Sequence, residues 1–469
     1  MYTMFDLIQF TGNTAIIEDE GSSLTYEALN KKVENLSSVL VKGSLSFNLC
    51  RNNTGSIIGY LAMLKSSVPA VMLDGDKGAD VIQLLINIYQ PQYLWLPTTR
   101  VSEFEGATTV IDVEDYTLLQ FNLPYYELNP DLALMLTTSG STGSPKLVKL
   151  TAKNLVSNAE SIAEYLEITA NERPITSLPM YYSYGLSVIN SHLLKGSTIL
   201  LTDKTVIQKE FWAFAKEQAA TSIAGVPYTY EMLKRLRIFT MDLPDLKTFT
   251  QAGGKLNPAL VKEFVEQAQS TDRKFIVMYG QTEATARMSY TPCEKALEKY
   301  ASIGIPIPGG SFSIIDTEGN EITTTDAEGE LVFKGPNVSM GYAECIADLA
   351  KGDENNGVLR TGDMARFDAD GFYFITGRLK RFVKVWGNRC SLDETEQLVK
   401  AGVTKDCACV GLDDLITIFV TKEGLDQEIK LLLTSKMGLN IRAFAVKVID
   451  DIPKNTSGKT LYAELQKLI

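Results

Sequence analysis

Residues Leu136–Lys149 read LTTSGSTGSPKLVK, a run of small hydroxyl side chains and glycines behind an apolar stretch. Gly140 and Gly143 let the backbone turn tightly and approach an anion, while Thr138, Ser139, Ser141 and Thr142 offer hydroxyl donors and Lys146 offers charge. That chemistry is what a phosphate-cradling loop requires. The apolar lead-in DLALML predicts a strand running into the loop. TAKNLVSNAESIAEYL, beginning at Thr151, predicts a helix capped by that threonine, giving a strand-loop-helix order. A flexible Ser/Gly linker is the alternative, and Pro145-Lys146 with the strongly apolar flanks argues against it.

The loop is not a Walker A motif, which places a Gly-Lys-Ser/Thr triplet after Gly and four residues. PKNTSGKT at Pro453–Thr460 comes close, but proline cannot supply the first glycine's backbone freedom, and too little chain follows for a βαβ unit.

Together the two segments resemble motifs of the adenylate-forming superfamily, which includes acyl-CoA synthetases, adenylation domains and luciferases. Further matches follow in family order. Gly253-Gly254 stand in TQAGGKL, and Tyr279, Gly280, Thr282 and Glu283 stand in YGQTE, similar to the adenine and magnesium segment. Thr361-Gly362-Asp363 is similar to the ribose motif, and GRLKRFVKVWGNRCSLDETE from Gly377 is similar to the hinge and the strand-loop beyond it. Lys459 closes PKNTSGK where the family keeps a catalytic lysine. LTYEALN at 24–30 and LKSSVPAVMLD at 64–74 extend the resemblance across essentially the whole chain.

Composition is that of an ordinary globular protein. The 469 residues, 45% of them hydrophobic, suffice for two or three domains with buried cores. A net charge of −12 opposes nonspecific binding to nucleic acid or anionic membrane. Six cysteines are too few for a disulfide framework and lack zinc-type pairing, and Cys407 and Cys409 fall on one face of a predicted strand as buried thiols. No basic leader and no apolar run of membrane length is present, so a reduced cytoplasm is the expected compartment.

Strand-like runs (TAIIED, SIIGYLAML, STILLTD, KFIVMY) alternate with helix-like ones (YEALNKKVENLSSVL, FWAFAKEQAA, PALVKEFVEQAQ) up to about residue 375. This predicts α/β subdomains. SFSIID, GELVFKG and FYFIT, separated by EGNE and DADG turns, predict a small β subdomain within 304–374. Beyond Arg378 the pattern predicts a small α+β unit. The expected organisation is an N-terminal core at 1–378 and a mobile C-terminal domain at 379–469.

The resemblance implies a two-step reaction in which a carboxylate attacks the α-phosphorus of ATP to give acyl-AMP and pyrophosphate, and a thiol then displaces AMP. The first step needs cations and donors around the phosphate more than a base. It would draw them from Lys459, Lys146, Thr282 and a magnesium ion anchored by Glu283. Asp363 would accept the ribose hydroxyls and Arg378 would lie beside the nucleotide. Tyr279 would stack on adenine, though a tyrosine ending an apolar strand is also a core residue. Lys380 would be the hinge and Gly387 would line the thiol tunnel.

The acyl pocket would draw on LPMYYSYGLS, with Tyr182, Tyr184 and Gly185. Tyr182 stands where the family frequently has histidine, and no aspartate is available there to pair an α-ammonium, which disfavours amino-acid substrates. The single histidine, His192, lies on a predicted helix, where a structural role is the commoner one. The expected partners are a small carboxylic acid and CoA or the phosphopantetheine of an acyl carrier protein. An enzyme loading only a carrier protein, and a nucleotide-binding regulator without chemistry, are the alternatives. A serine hydrolase lacks the G-x-S-x-G elbow.

Overall fold

The computed structural model describes residues 6–137, 146–379, 381–386, 388–412, 414–454 and 460–469. The chain forms two compact units, one of Met1–Ser311 with Lys334–Leu359 and one of Phe312–Phe333 with Arg360–Ile469.

The first unit is α/β and holds two large sheets. In the nine-stranded sheet, six neighbouring strands run parallel: Lys274–Tyr279, Thr248–Gln251, Ser222–Gly225, Pro174–Ile175, Ile199–Leu201 and Thr14–Glu18. Antiparallel strands close both edges. Helices buried against the parallel strands follow from the sequence period. Pro258–Ser270, for example, begins with Pro at its first turn, is capped by Asn257 and buries Val261, Phe264, Val265 and Ala268 on one stripe. The eight-stranded sheet has a parallel centre of Leu132–Thr137, Ala70–Asp74, Ser46–Cys50 and Tyr93–Pro97.

Two expectations are corrected here. SIIGYLAML is not a strand but lies in the helix Thr54–Lys65, capped by Asn53, whose side chain accepts from the Ser56 amide at 3.2 Å. Residues 54–63 are all buried, so no polar face marks the helical period, and a short apolar run then reads equally well as a buried strand. The order at the glycine-rich loop also differs. Leu132–Thr137 does lead toward it, but the chain after it continues as a strand, Leu147–Thr151, which pairs antiparallel with Leu132–Thr137, Thr137 opposite Leu147. The helix Ala152–Tyr165 starts only after that strand, capped by Thr151 as expected, with Asn154 completing a reciprocal capping box.

The second unit contains a four-stranded sheet ordered Ser311–Ile315, Gly329–Lys334, Val358–Phe367, Tyr373–Arg378. Its C-terminal residues build a three-stranded sheet of Cys407–Leu412, Leu415–Val420 and Phe444–Val448, packed by the helices Leu392–Gly402 and Asp426–Met437. Cys407 and Cys409 share one buried face with Val399 and Ile429, while Ala408 and Val410 join the opposite cluster with Phe419 and Leu465. That is the alternation expected of them.

Candidate active site

Three loops of the first unit gather because the strands before them are parallel and in register, Gly225 beside Gln251 and Gln251 beside Val277. The segments after their carboxyl ends, Val226-Pro227, Ala252–Gly254 and Gly280–Glu283, therefore emerge side by side. In open α/β sheets this is where ligands bind.

Each loop is held by its own chemistry. Gln251, 1% exposed, donates from Nε2 to the Gly254 carbonyl at 2.9 Å and fixes the glycine turn. Gly253 has φ +80°, and a Cβ there would stand 2.6 Å from the Tyr182 hydroxyl. Tyr182 thus lies against this turn, and burial pushes its phenol up to about 12. Gly280 is confined more severely, since a Cβ would meet the Ala286 carbonyl oxygen at 1.8 Å. Here only glycine fits.

The YGQTE segment doubles back through Thr285, a β-branched residue at φ +65°, which is strained backbone. Buried Asn337 holds it there. Asn337 donates from Nδ2 to the carbonyls of Ala284 and Arg287, both at 2.9 Å, and its own carbonyl accepts the Thr285 hydroxyl at 2.7 Å. The Ser339 amide donates to the Glu283 carbonyl at 2.8 Å. Thr282 and Ser183 place their hydroxyl oxygens 3.2 Å apart.

Glu283 is oriented from the other sheet. The Tyr342 hydroxyl donates to its Oε1 at 2.8 Å, and the Lys146 ammonium lies 3.6 Å from the Tyr342 ring centroid. Tyr342 reaches this point because Tyr342–Ala343 pairs antiparallel with Leu147–Thr151, Tyr342 opposite Val148. Burial, then the Glu283 charge, raise the Tyr342 phenol well above its usual value, so it stays a donor. The result is a chain from Lys146 over an aromatic ring to an oriented carboxylate.

These donors suit a magnesium ion. Among the described residues no group of three His, Cys, Asp or Glu gathers into a cage. Magnesium usually takes one or two carboxylates and draws its other ligands from water and phosphate. Glu283, already oriented by Tyr342 and next to Thr282, offers such a hard-oxygen anchor.

Two acyl-pocket candidates have close structural partners. Tyr184 is 2% exposed and donates its hydroxyl to the Thr250 carbonyl at 2.7 Å. A Cβ on Gly185 would strike the Pro179 carbonyl oxygen at 2.2 Å, so this glycine lets the helix Ser183–Leu193 approach the preceding backbone. His192 is buried on that helix and bonded through Nδ1 to the Val188 carbonyl at 2.8 Å, and burial drives its pKa down to about 4. A structural histidine behaves this way.

In the second unit Asp363 and Arg378 stand opposite each other on paired strands, Nε to Oδ1 3.2 Å, with Asp363 buried and Arg378 exposed. The Thr-Gly-Asp segment is a strand interior rather than a free turn. Gly362 takes φ +69°, its amide donates to Glu330 at 3.3 Å, and the Thr361 hydroxyl donates to the Leu331 carbonyl at 2.7 Å.

Of the sequence-derived candidates, Thr138, Ser139, Gly140, Ser141, Thr142, Gly143, Lys380, Gly387 and Lys459 lie outside the described residues. Tyr342, Asn337 and Arg287 were not anticipated. None sits in a glycine-rich or charged motif that would single it out.

Comparison with known proteins shows the family and the fold. Residues 8–343 match the family model described as AMP-binding enzyme, and the chain belongs to that family, within the adenylate-forming superfamily. It is 29% identical over 363 residues to a probable CoA ligase of Humulus lupulus, covering 73% of this chain and 65% of that protein. It is 27% identical to a 4-coumarate–CoA ligase-like protein of Arabidopsis thaliana, covering 72% and 61%. The chain thus spans less than two thirds of the length of these curated relatives. A solved o-succinylbenzoate CoA synthetase of Bacillus subtilis, in complex with its acyl-adenylate intermediate, superposes with TM-score 0.82 at 21% identity, covering 99% and 97% of the two chains. At that identity the likeness concerns the fold. Among the described residues no helix is long and apolar enough to cross a membrane.

Proposed function

We propose that this chain is an AMP-forming acid–thiol ligase with CoA as acceptor. An oxygen of the substrate carboxylate attacks the α-phosphorus of ATP and pyrophosphate leaves with the bridging oxygen. The thiolate sulfur of CoA then attacks the acyl carbon and AMP leaves. The observation that carries this reading is the convergence of Gly253, Gly280, Thr282 and Glu283 at the carboxyl ends of parallel strands, with Glu283 aimed by Tyr342. The names of the curated relatives, CoA ligases, favour CoA over a carrier protein.

Each residue has a task in this reaction. Glu283 would hold magnesium, which supplies charge to the phosphates when bound, and Thr282 would contact phosphate. Lys146, held over the Tyr342 ring, would add a cation for the phosphates. Thr138, Ser139, Ser141 and Thr142, with the backbone at Gly140 and Gly143, would donate to phosphate oxygens. Tyr279 would face adenine across Gly253-Gly254, and Asp363 would accept the ribose hydroxyls beside Arg378. Lys459 would follow the charge moving onto the bridging oxygen, a task suited to a compact ammonium. Residues 379–469 would turn about Lys380 between the steps, bringing the segment at Gly387 to the thiol. All six cysteines are free thiols, consistent with a reduced, cytoplasmic setting. ATP–pyrophosphate exchange over an acid panel, followed by CoA and holo carrier proteins as acceptors, tests the proposal. Exchange followed by transfer only to carrier proteins would replace CoA as the acceptor.

A further inference from the structure

Arg287 is a buried cation whose surroundings do not neutralise it. It is 2% exposed, its Nε donates to Sδ of Met278 at 3.4 Å, and its guanidinium lies 3.8 Å from the ring centroid of Tyr184. No carboxylate among the described residues forms an ion pair with it. A thioether, the phenol of Tyr165 and an aromatic face, all neutral, are weak compensation for a desolvated guanidinium, which ordinarily takes a carboxylate or phosphate in a bidentate grip.

The same residue lines a cavity of about 30 Å³ with Leu166, Val188, His192, Ala224 and Thr250. At about 10–15 Å³ for each water-sized group, that volume holds roughly two such groups, the number of oxygens in a carboxylate. His192 is neutral near pH 7, since burial holds its pKa at about 4, so the positive charge on this lining is that of Arg287. Glu172 also borders the cavity, and its carboxylate accepts the Thr221 hydroxyl at 2.5 Å. The remaining wall is largely apolar, which strengthens any charge pairing within it.

Two residues of the cavity wall, Ala224 and Thr250, lie on strands that run into the proposed acid site. Thr250 lies on the strand that runs into Gly253, and its carbonyl accepts the hydroxyl of Tyr184, the ring that Arg287 covers. Tyr182 stands edge-on to Tyr184 with centroids 6.4 Å apart and touches the Gly253 turn. Tyr182, Tyr184, Ala224 and Val188 belong to one cluster on a single face of the sheet. An acid whose reacting carboxylate sits near Gly253 would therefore point its far end toward Arg287.

We propose that Arg287 recognises a second anionic group on the substrate, so that the acid activated is a dicarboxylate whose distal carboxylate pairs with this guanidinium. The inference rests on the ligase reading above and narrows it to a substrate class.

The test uses matched pairs that differ by one carboxylate: succinate with butyrate, glutarate with pentanoate, phthalate with benzoate. In ATP–pyrophosphate exchange the intact protein should favour at least one dicarboxylate over its partner by about a hundredfold or more in kcat/KM, as sites built around a buried polar group do. Arg287→Met should erase that preference, and Arg287→Lys should retain part of it. Thermal upshift by magnesium-ATP, equal in all three proteins, checks that each variant is folded. Thermal upshift by the dicarboxylates alone separates the two readings. Binding that depends on Arg287 without any exchange supports the anion site and sinks the ligase reading. Exchange with equal or better use of monocarboxylates, or a preference that survives Arg287→Met, overturns the role of Arg287 and leaves the ligase reading standing. Neither binding nor exchange overturns both.

Discussion

Tyr342 donates its hydroxyl hydrogen to Oε1 of Glu283 at 2.8 Å, joining an edge strand of one sheet to a loop at the end of the other. The contact orients a carboxylate that would otherwise rotate freely, and Lys146 sits on the opposite side of the contact, over the Tyr342 ring. Outer hydrogen bonds of this kind tune metal sites. Tyr342→Phe should therefore raise the magnesium concentration needed for half-maximal pyrophosphate exchange by roughly ten- to a hundredfold, the usual cost of losing an outer hydrogen bond to a metal-binding carboxylate. Glu283→Ala should raise it further. Unchanged magnesium dependence in the phenylalanine variant would remove Glu283 from the metal site.

Lys459 separates the two half-reactions. If it stabilises only the charge that develops during adenylation, Lys459→Ala should lose acid-dependent pyrophosphate exchange by about two to three orders of magnitude. It should still form thioester from a supplied acyl-AMP. Equal loss in both assays, with an unchanged melting temperature, would refute that role.

A moving C-terminal domain predicts a different separation. Lys459 must reach the α-phosphate in the first step, and the thiol must later reach the same acyl group. Proline fixes φ, so Lys380→Pro should keep pyrophosphate exchange and lose transfer to CoA. Gly387→Leu should likewise block transfer by filling the tunnel. Normal thioester formation by the proline variant would place the hinge elsewhere.

His192 makes stability depend on pH. The unfolded chain protonates this residue near its ordinary value of 6.5, whereas the folded protein resists until about pH 4. Between those values protons bind the unfolded state preferentially, so the contribution of His192 to stability falls as pH drops from about 6.5 to about 4, by about 1.4 kcal/mol per pH unit. Melting temperature across that range should fall more steeply in the wild type than in His192→Asn, whose amide replaces the Nδ1 donor. Parallel curves would mean that His192 is already neutral in the unfolded chain or charged in the folded one.

Much of the fold was determined by local features of the sequence. The strand Lys274–Tyr279, the capped helices at Thr25 and Thr151, the one-sided cysteines at 407 and 409 and the structural histidine each follow from a period or a cap spanning a few residues. Gly253 and Gly280 were singled out by the family resemblance of TQAGGKL and YGQTE, and the structure adds the atoms, the Tyr182 hydroxyl and the Ala286 carbonyl, that a Cβ there would meet. Where burial is uniform the period vanishes, which is why Thr54–Lys65 read as a strand and why a return strand after the glycine-rich loop went unnoticed. Tyr342, Asn337 and Arg287 were decided by tertiary structure alone. Tyr342 meets Glu283 from 59 residues away because two sheets bring an edge strand and a loop together, and Asn337 reaches back 50 residues to the Arg287 carbonyl. The partner of a tyrosine or an arginine depends on sheet register and on what else is buried beside it, and neither is encoded in the few residues on either side.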